Sequence, residues 1–414
     1  MLIGHSGCAH LGYFPRNPRT VTIDGNTLPI REHDGHVAHR LIVDGMIAAG
    51  VGLALDGGDL FHTPSPTVAT LDVAMAHDRL LRDAGIDTFY NTGNHDAAVV
   101  ARRLTPTALM GAADGNCVCT GVATGRGPAE GRYEILEFAD VAYHVVSHQG
   151  LSITSRESDP FEIAPVPGKT NILVSHGAFE ADNRIYGAAE PHGDEYPIPT
   201  EWAEPMDLMV LSHFHQMGKV EWAGGCPVWW TGSSLRRGFA DPQNDRGWLL
   251  VDTDGATPTV TEHPIWQRPQ YEMDTVNADG MSPTEVVAAI QDNLMNVVWE
   301  DDASLELTGH GGPIVRQQVW GLDQAGRQYL DAHRKVLDDY AEGAAEWILR
   351  MESRQSQTSG VDAAMRTAVR ALETPLARFD HMADQLGTGI DADVRAPAMV
   401  GARATLATGT EGKR

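Results

Sequence analysis

The sequence is poor in cysteine, in cationic side chains and in long apolar runs. Four cysteines in 414 residues make no disulfide framework, and a reducing cytoplasm fits that usage. No apolar run approaches the roughly 18 residues of a membrane-spanning helix, so no transmembrane segment is expected. Met1-Leu2-Ile3-Gly4-His5 has no basic stretch ahead of an apolar one. No signal peptide is therefore expected, and this segment reads as the first core strand. Lys and Arg number 31 against 56 Asp and Glu, a formal net charge of -25. Such a surface repels nucleic-acid phosphates at long range. It argues against a free-standing DNA binder unless bound metals and a basic partner offset it. Solubility, or a high-salt milieu, would account for the acidity equally well. There is no internal repeat.

The chain is long enough for two domains, and 42% hydrophobic residues can bury a large core. Its first hundred residues alternate in type. A strand is expected over residues 2–7, a helix over 36–49, a strand at 51–55, a helix over 67–84 and a strand at 86–90. This is a βαβ pattern. The stretch 14–31 reads as an exposed insertion. Beyond residue 96 the apolar runs at 133–138, 141–147, 171–175, 208–212, 219–222, 227–231 and 248–252 read as strands. Residues 180–204 form a polar insertion that could rim a site. A helix is expected over 283–299 with Ser282 as cap, strands at 305–307 and 314–319, a long helix over 323–353 and an amphipathic helix over 361–385. The Ala-, Gly- and Thr-rich tail from 387 is expected to be mobile.

Polar residues recur where the apolar runs end. Cys8-Ala9-His10 follows the first strand, and Gly57-Gly58-Asp59-Leu60-Phe61-His62 the next. Asn91-Thr92-Gly93-Asn94-His95-Asp96, Ser175-His176-Gly177 and Ser212-His213-Phe214-His215 close three more. Open α/β sheets place their sites at such strand ends, and oxygen and imidazole donors with few thiols suit Mn, Fe or Zn. Taken singly, an Asp after a strand is usually a turn residue and a His-x-His pair usually surface. His144 and His148 lie near an apolar run and read as structural. His33, His36 and His39 read as a surface helix face, and Cys117 and Cys119 as core.

The ordered set resembles the motifs of the calcineurin-like metallophosphoesterases: Asp-x-His, Gly-Asp, Gly-Asn-His-Asp/Glu, His and Gly-His-x-His. Within them it is most similar to the SbcD-type nucleases of double-strand-break repair. The features closest to these are Ala9-His10-Leu11-Gly12-Tyr13, the Gly57 to His62 run with Pro64-Ser65 behind it, and Gly232-Ser233-Ser234-Leu235-Arg236-Arg237. The motifs span residues 5–240. The resemblance implies an α/β fold: a two-sheet β-sandwich flanked by helices over 1–265, a small α+β capping domain over 266–322 and C-terminal helices over 323–386. It implies two divalent metals, with Mn expected and Fe or Zn admitted by Cys8. Asp59 would bridge them, with Cys8, His10 and His215 on one and Asn94, His176 and His213 on the other. His95 would face the leaving oxygen, and Asp96 would orient His95. Arg236 and Arg237 would contact a phosphate backbone or pair with local acids such as Asp241.

The partners so implied are DNA, an SMC-like coiled-coil ATPase and a second copy of the chain, with no membrane. The C-terminal helices would bind the ATPase, or pack back on the chain or dimerise. Cys8 stands where the family motif has aspartate. It could ligate as a thiolate, leave a weakly held metal, or merely pack. Two further functions stay open: hydrolysis of small nucleotide esters, which the acidic charge favours, and a scaffold whose metal site has decayed.

Overall fold

The structure, a computed structural model, describes residues 1–15, 18–23, 25–97, 105–112, 132–138, 140–154, 162–181, 184–186, 196–241 and 244–353. The expected core pair Cys117 and Cys119, the helix at 361–385 and the tail lie outside these residues. Two compact units are present. The first comprises 1–274, 291–317 and 335–349, and the second the remaining described residues.

Two β-sheets form the body of the first unit. One has five strands in the order Thr259–Pro264, Gly247–Asp252, Leu2–Ser6, Leu53–Asp56, Asp87–Tyr90. The other has six: Met217–Val220, Val228–Thr231, Leu208–Ser212, Thr170–His176, Val141–Val146, Tyr133–Glu137. Ile3, Leu53 and Val251 from the first sheet pack against Tyr143, Val174 and Val210 from the second. This is the sandwich core, and burial of such side chains contributes roughly 1.5–3 kcal/mol each. The strands at the centre are apolar on both faces, as parallel strands covered on both sides must be. Trp230 enters the cluster on the far face of the six-stranded sheet, while its neighbour Trp229 packs on the inter-sheet core.

Helices Ile30–Ala49 and Val68–Asp83 cover the outer face of the five-stranded sheet, with Ile42, Val43, Met46 and Leu81 against Ala54 and Trp248. The first helix begins at Ile30, earlier than its apolar spacing indicates, because Pro29 ends the hairpin Thr20–Ile23/Asn26–Pro29. That hairpin occupies the stretch expected to be an exposed insertion, and none of its strand residues is buried. His36 and His39 are not on a surface face. His39 is buried and shares a 2.8 Å contact between Nδ1 atoms with His77 of the second helix. Helix-on-helix packing covers a face that looks polar in sequence.

Two expectations for the later segments fail. Residues 305–307 lie in helix Asp302–Thr308, capped by the Asp301 carboxylate on the Ser304 N–H. The long helix expected over 323–353 is instead two short helices, Gln324–Ala332 and Arg334–Tyr340, followed by strand Glu346–Ser353. Gly343 packs tightly against Trp299, Ala345 N–H donates to the Pro313 carbonyl at 2.8 Å, and the strand pairs with Ile314–Leu322. Tertiary pairing overrides the helical spacing of Tyr340, Ala344 and Ile348. No helix among the described residues is long and apolar enough to cross a membrane.

Candidate metal centre

Register brings the motif loops together. Ser6 pairs level with Asp56, Asp56 with Tyr90, and Ser212 with His176. Three strands of one sheet and two of the other are thus in step at their carboxyl ends, and the loops that follow meet within the first unit. The first two loops then pair with each other. Cys8 N–H donates to the Gly58 carbonyl at 2.8 Å, His10 N–H to Asp59 at 2.9 Å and Leu11 N–H to Leu60 at 2.8 Å. The loops approach so closely that a Cβ at Gly93 would overlap Asp59 Oδ1, and one at Gly57 would overlap Ser212 Oγ.

Cys8, His10, Asp59 and His213 have positive φ, at 50, 48, 59 and 120°. Among the described residues these four are the only non-glycine ones so placed. Each such backbone costs of order 1–3 kcal/mol and persists where the surroundings over-determine it. All four come from the motif loops.

The side chains converge. His10 Nε2 lies 3.2 Å from His215 Nε2 and 3.7 Å from Asp59 Oδ2. His176 Nε2 lies 3.2 Å from Asp59 Oδ2 and 3.1 Å from Asn94 Oδ1. Three sets of donor atoms are mutually within 4.8 Å: Cys8/His10/His215, Cys8/Asp59/His176 and His10/His62/His95. His213 is in none of these sets. Its ring lies 5.3 Å from that of His176, and its backbone N–H donates to Cys8 Sγ at 3.3 Å.

The donor chemistry fits metal. His176 donates Nδ1–H to the Gly57 carbonyl at 3.1 Å, so its Nε2 lone pair faces two oxygen acceptors. A proton or a cation must lie between them. The charge of Asp59 holds the His176 pKa above its usual value despite burial. His215 donates Nδ1–H to Asp241 at 3.2 Å, which directs its Nε2 lone pair at His10. A carboxylate behind an imidazole fixes the tautomer that binds metal. Burial depresses the pKa of His10 and His215, and that of His213 to about 3, so all three stay neutral with lone pairs available. Burial and the Asp59 charge raise the Cys8 thiol.

The expected role of Asp96 is not what its contacts show. Its carboxylate is fully buried and accepts backbone N–H groups from Phe61 at 2.8 Å and from Leu60 and Gly93 at 3.2 Å each. It fixes the two loops rather than the ring of His95. Burial and Asp59 push its carboxyl up to about 8. His95 donates Nδ1–H to the His62 carbonyl at 2.9 Å, and its own backbone N–H goes to Asp59 Oδ1 at 2.8 Å. Nε2 is therefore the atom left to face a substrate.

The two arginines separate. Arg237 reaches His215 Nε2 at 3.0 Å and His10 Nδ1 at 3.5 Å, with Tyr13 Oη donating to its carbonyl. Arg236 lies over the Phe239 ring at 5.7 Å. Sequence reasoning missed His62, whose ring stacks on that of His95 at 5.0 Å, although its place in the Gly57 to His62 run was a signal. His148, read as structural, has its ring 6.1 Å from His176 and 6.2 Å from His213. His144 is structural, bonded to Tyr133 Oη at 2.7 Å and Asn171 Oδ1 at 3.0 Å.

No protein-family model matches the chain. A DNA double-strand break repair protein Mre11 of Haloferax volcanii is 24% identical over 279 residues, 67% of this chain and 55% of the relative. The chain thus spans about half the length of the curated relative it matches. Among solved structures, a dimetal phosphatase from Danio rerio aligns over 60% of this chain and 91% of its own, at 10% identity and a TM-score of 0.37. TT1561 of Thermus thermophilus aligns over 63% and 97%, at 12% identity and a TM-score of 0.33. With its sandwich, its ordered strand-end residues and the likeness to the repair protein, the chain resembles the calcineurin-like metallophosphoesterases, and among them the double-strand-break repair nucleases.

Proposed function

We propose that the protein is a metal-dependent phosphodiesterase that cleaves DNA. The observation that carries this reading is the convergence of buried imidazoles on one carboxylate, Asp59, with the Arg237 guanidinium at its edge. Asp59 would be shared between two ions, with Cys8, His10 and His215 on one side and Asn94, His176 and His213 on the other. When bound, two divalent metals, Mn with Fe or Zn admitted by Cys8, supply charge neutralisation at a phosphate and an activated water. The chain's own groups do the rest. His95 Nε2 stabilises or protonates the leaving oxygen. The His62 carbonyl holds its ring, and Asp96 holds the loop. Arg237 offers a forked donor to a phosphate oxygen. Arg236 is a weaker candidate for such a contact, since its guanidinium packs on Phe239.

The likeness to Mre11 supports DNA as substrate and a role in double-strand-break repair. On this reading residues 266–322 guide the DNA, residues 323–386 engage an SMC-like ATPase, and the chain acts as a homodimer in the cytoplasm. The partner offsets the net charge of -25. The test is hydrolysis of linear duplex DNA and of a small phosphodiester in Mn, Fe and Zn separately. DNA cleavage should fall about 10²–10⁴-fold in His95→Ala. Cleavage of the small ester alone would replace DNA by a nucleotide substrate. Metal binding without hydrolysis of either, with the ATPase present, would make the chain a scaffold.

A further inference from the structure

The metallophosphoesterase reading treats the two ions as alike, but the donor atoms are not alike. Cys8 Sγ belongs to two donor sets, one with His10 and His215 and one with Asp59 and His176. The residue is 1% exposed and is surrounded by polar atoms rather than by an apolar shell. Its backbone is held in the left-handed region by the Gly58 carbonyl. A cysteine placed only for packing needs no such backbone. Its sulfur accepts the His213 N–H at 3.3 Å and lies within 4.8 Å of donor atoms of His10 and Asp59. His10, Asp59 and His176 are themselves no more than 2% exposed, so the sulfur faces other donors across a dry gap.

Resting on that reading, we propose that the centre is heterobinuclear: the Cys8/His10/His215 position selects a thiophilic ion such as Zn or Fe(II), and the Asn94/His176/His213 position takes the harder Mn. The first position offers sulfur, two imidazoles and the shared carboxylate, a four-donor set typical of Zn or Fe. The second offers an amide oxygen, two imidazoles and the same carboxylate, with the Cys8 sulfur, assigned to the first position, as a neighbour within 4.8 Å of His176. Zn–S bonds are about 2.3 Å against roughly 2.0–2.2 Å for oxygen, so a thiolate also asks for a longer bond than aspartate would. Selection therefore follows from donor identity at one residue, with the rest of the motif set unchanged.

The test uses the full chain, stripped of metal and titrated with Co(II) as a spectroscopic probe. A sulfur-to-cobalt charge-transfer band should rise with the first equivalent and be absent in Cys8→Asp and Cys8→Ser, both of which should still bind two ions. Loading with equal Mn and Zn, followed by elemental analysis, should give mixed occupancy in the wild type. Cys8→Asp should shift the Zn-over-Mn preference of that position by about tenfold or more. Circular dichroism on each variant separates loss of selectivity from loss of fold, and Cys8→Ser serves if Cys8→Asp does not fold. Two bound ions with no band, or an unchanged Zn-to-Mn ratio in the variants, overturn the proposal and leave the metallophosphoesterase reading standing. Failure of the wild type to bind any ion overturns both.

Discussion

Two buried polar clusters in the first unit differ in what satisfies them. Around Arg268 every donor has a protein acceptor. Nε and Nη2 form a bidentate pair with Asp34 at 2.8 and 2.7 Å. The remaining N–H groups reach the carbonyls of Gly312 and His310 and the Thr308 hydroxyl, at 2.7, 3.1 and 3.1 Å. Arg31 adds a second donor to Asp34 at 2.8 Å. Around Asp59, by contrast, potential metal donors crowd together: imidazole nitrogen lies against imidazole nitrogen and imidazole against carboxylate and amide oxygen, with Arg237 and the His95 N–H supplying hydrogen bonds at the edge. Arg268 and Asp34 are as buried as His10, Asp59 and His176, while Asn94 lies at the exposed edge of the second cluster. The first is complete and holds helix Ile30–Ala49 to the segment around Thr308. The second gathers donor atoms suited to a cation, and its loops carry left-handed backbones at non-glycine residues, whereas those beside the first cluster fall on Gly309 and Gly312. Buried imidazoles gathered on one carboxylate, beyond what holding the fold requires, mark a candidate functional site.

The largest expected effect breaks the complete cluster. Arg268→Ala leaves Asp34 with Arg31 alone and removes the donor to the Gly312 carbonyl, while Thr308 and His310 keep their hydrogen bonds to each other. The expected loss is about 3–5 kcal/mol of folding stability, read from urea unfolding. Where the variant remains folded, its Co(II) spectrum should match wild type, because no ligand is touched. A changed spectrum would mean the two clusters are one. The next effect breaks the incomplete cluster from behind. Asp241→Asn removes the charge that orients His215. Metal affinity, measured by chelator competition, should fall about 10–100-fold, with a smaller change in stability than in Arg268→Ala. The reverse order of effects would make Asp241 a structural residue.

Much of this was legible in sequence, and for identifiable reasons. The strand ends carrying Asp59, Asn94, His176 and His215 could be read because parallel strands and their following loops are local features, punctuated by Gly. The shell behind the ligands could not. Asp96 lies next to His95 in the chain, which suggested that it orients the ring, but the partners of its carboxylate come from residues 60 and 61 across the loop pair. His148 and Asp241 reach the site only through tertiary packing. The break in the expected helix after Tyr340 depends on Trp299 and Pro313, which no window of helical periodicity contains.

A third prediction follows from acid. Burial is the main cause that lowers His213 to about 3 and His62 and His148 to about 4, with neighbouring imidazoles adding to it. In the unfolded chain each titrates near 6.5. Below that pH the unfolded state takes up protons that the folded state refuses. The contribution of these groups is therefore intact above about pH 6.5 and is lost as pH falls towards about 4. The slope approaches 1.4 kcal/mol per pH unit for His213 and His148 and is smaller for the more exposed, solvent-screened His62. His176, raised by Asp59, works in the opposite sense and removes part of that slope. Unfolding free energies of the metal-free protein across this window should decline. Flat stability would show that the imidazoles titrate freely, against the burial the site requires.

The smallest effect tests whether the comparison separates support from function at all. Thr67 caps helix Val68–Asp83 by accepting the Thr70 N–H at 3.1 Å, and Thr70 in turn donates to Glu32 on the neighbouring helix at 3.2 Å. This chain of bonds is satisfied within the protein, like the Arg268 cluster, yet it lies at a partly exposed helix end. Thr67→Ala should cost about 1 kcal/mol, seen as a modest shift in the urea midpoint, with metal content and hydrolysis unchanged. The helix it caps carries no candidate ligand, so a loss of metal here could travel only through the packing of the two helices on the sheet that supports Cys8 and Asp59. Such a loss would show that the strained backbones of those loops depend on the whole helical layer, and that the boundary between the two clusters lies further from the metal than their hydrogen bonds indicate.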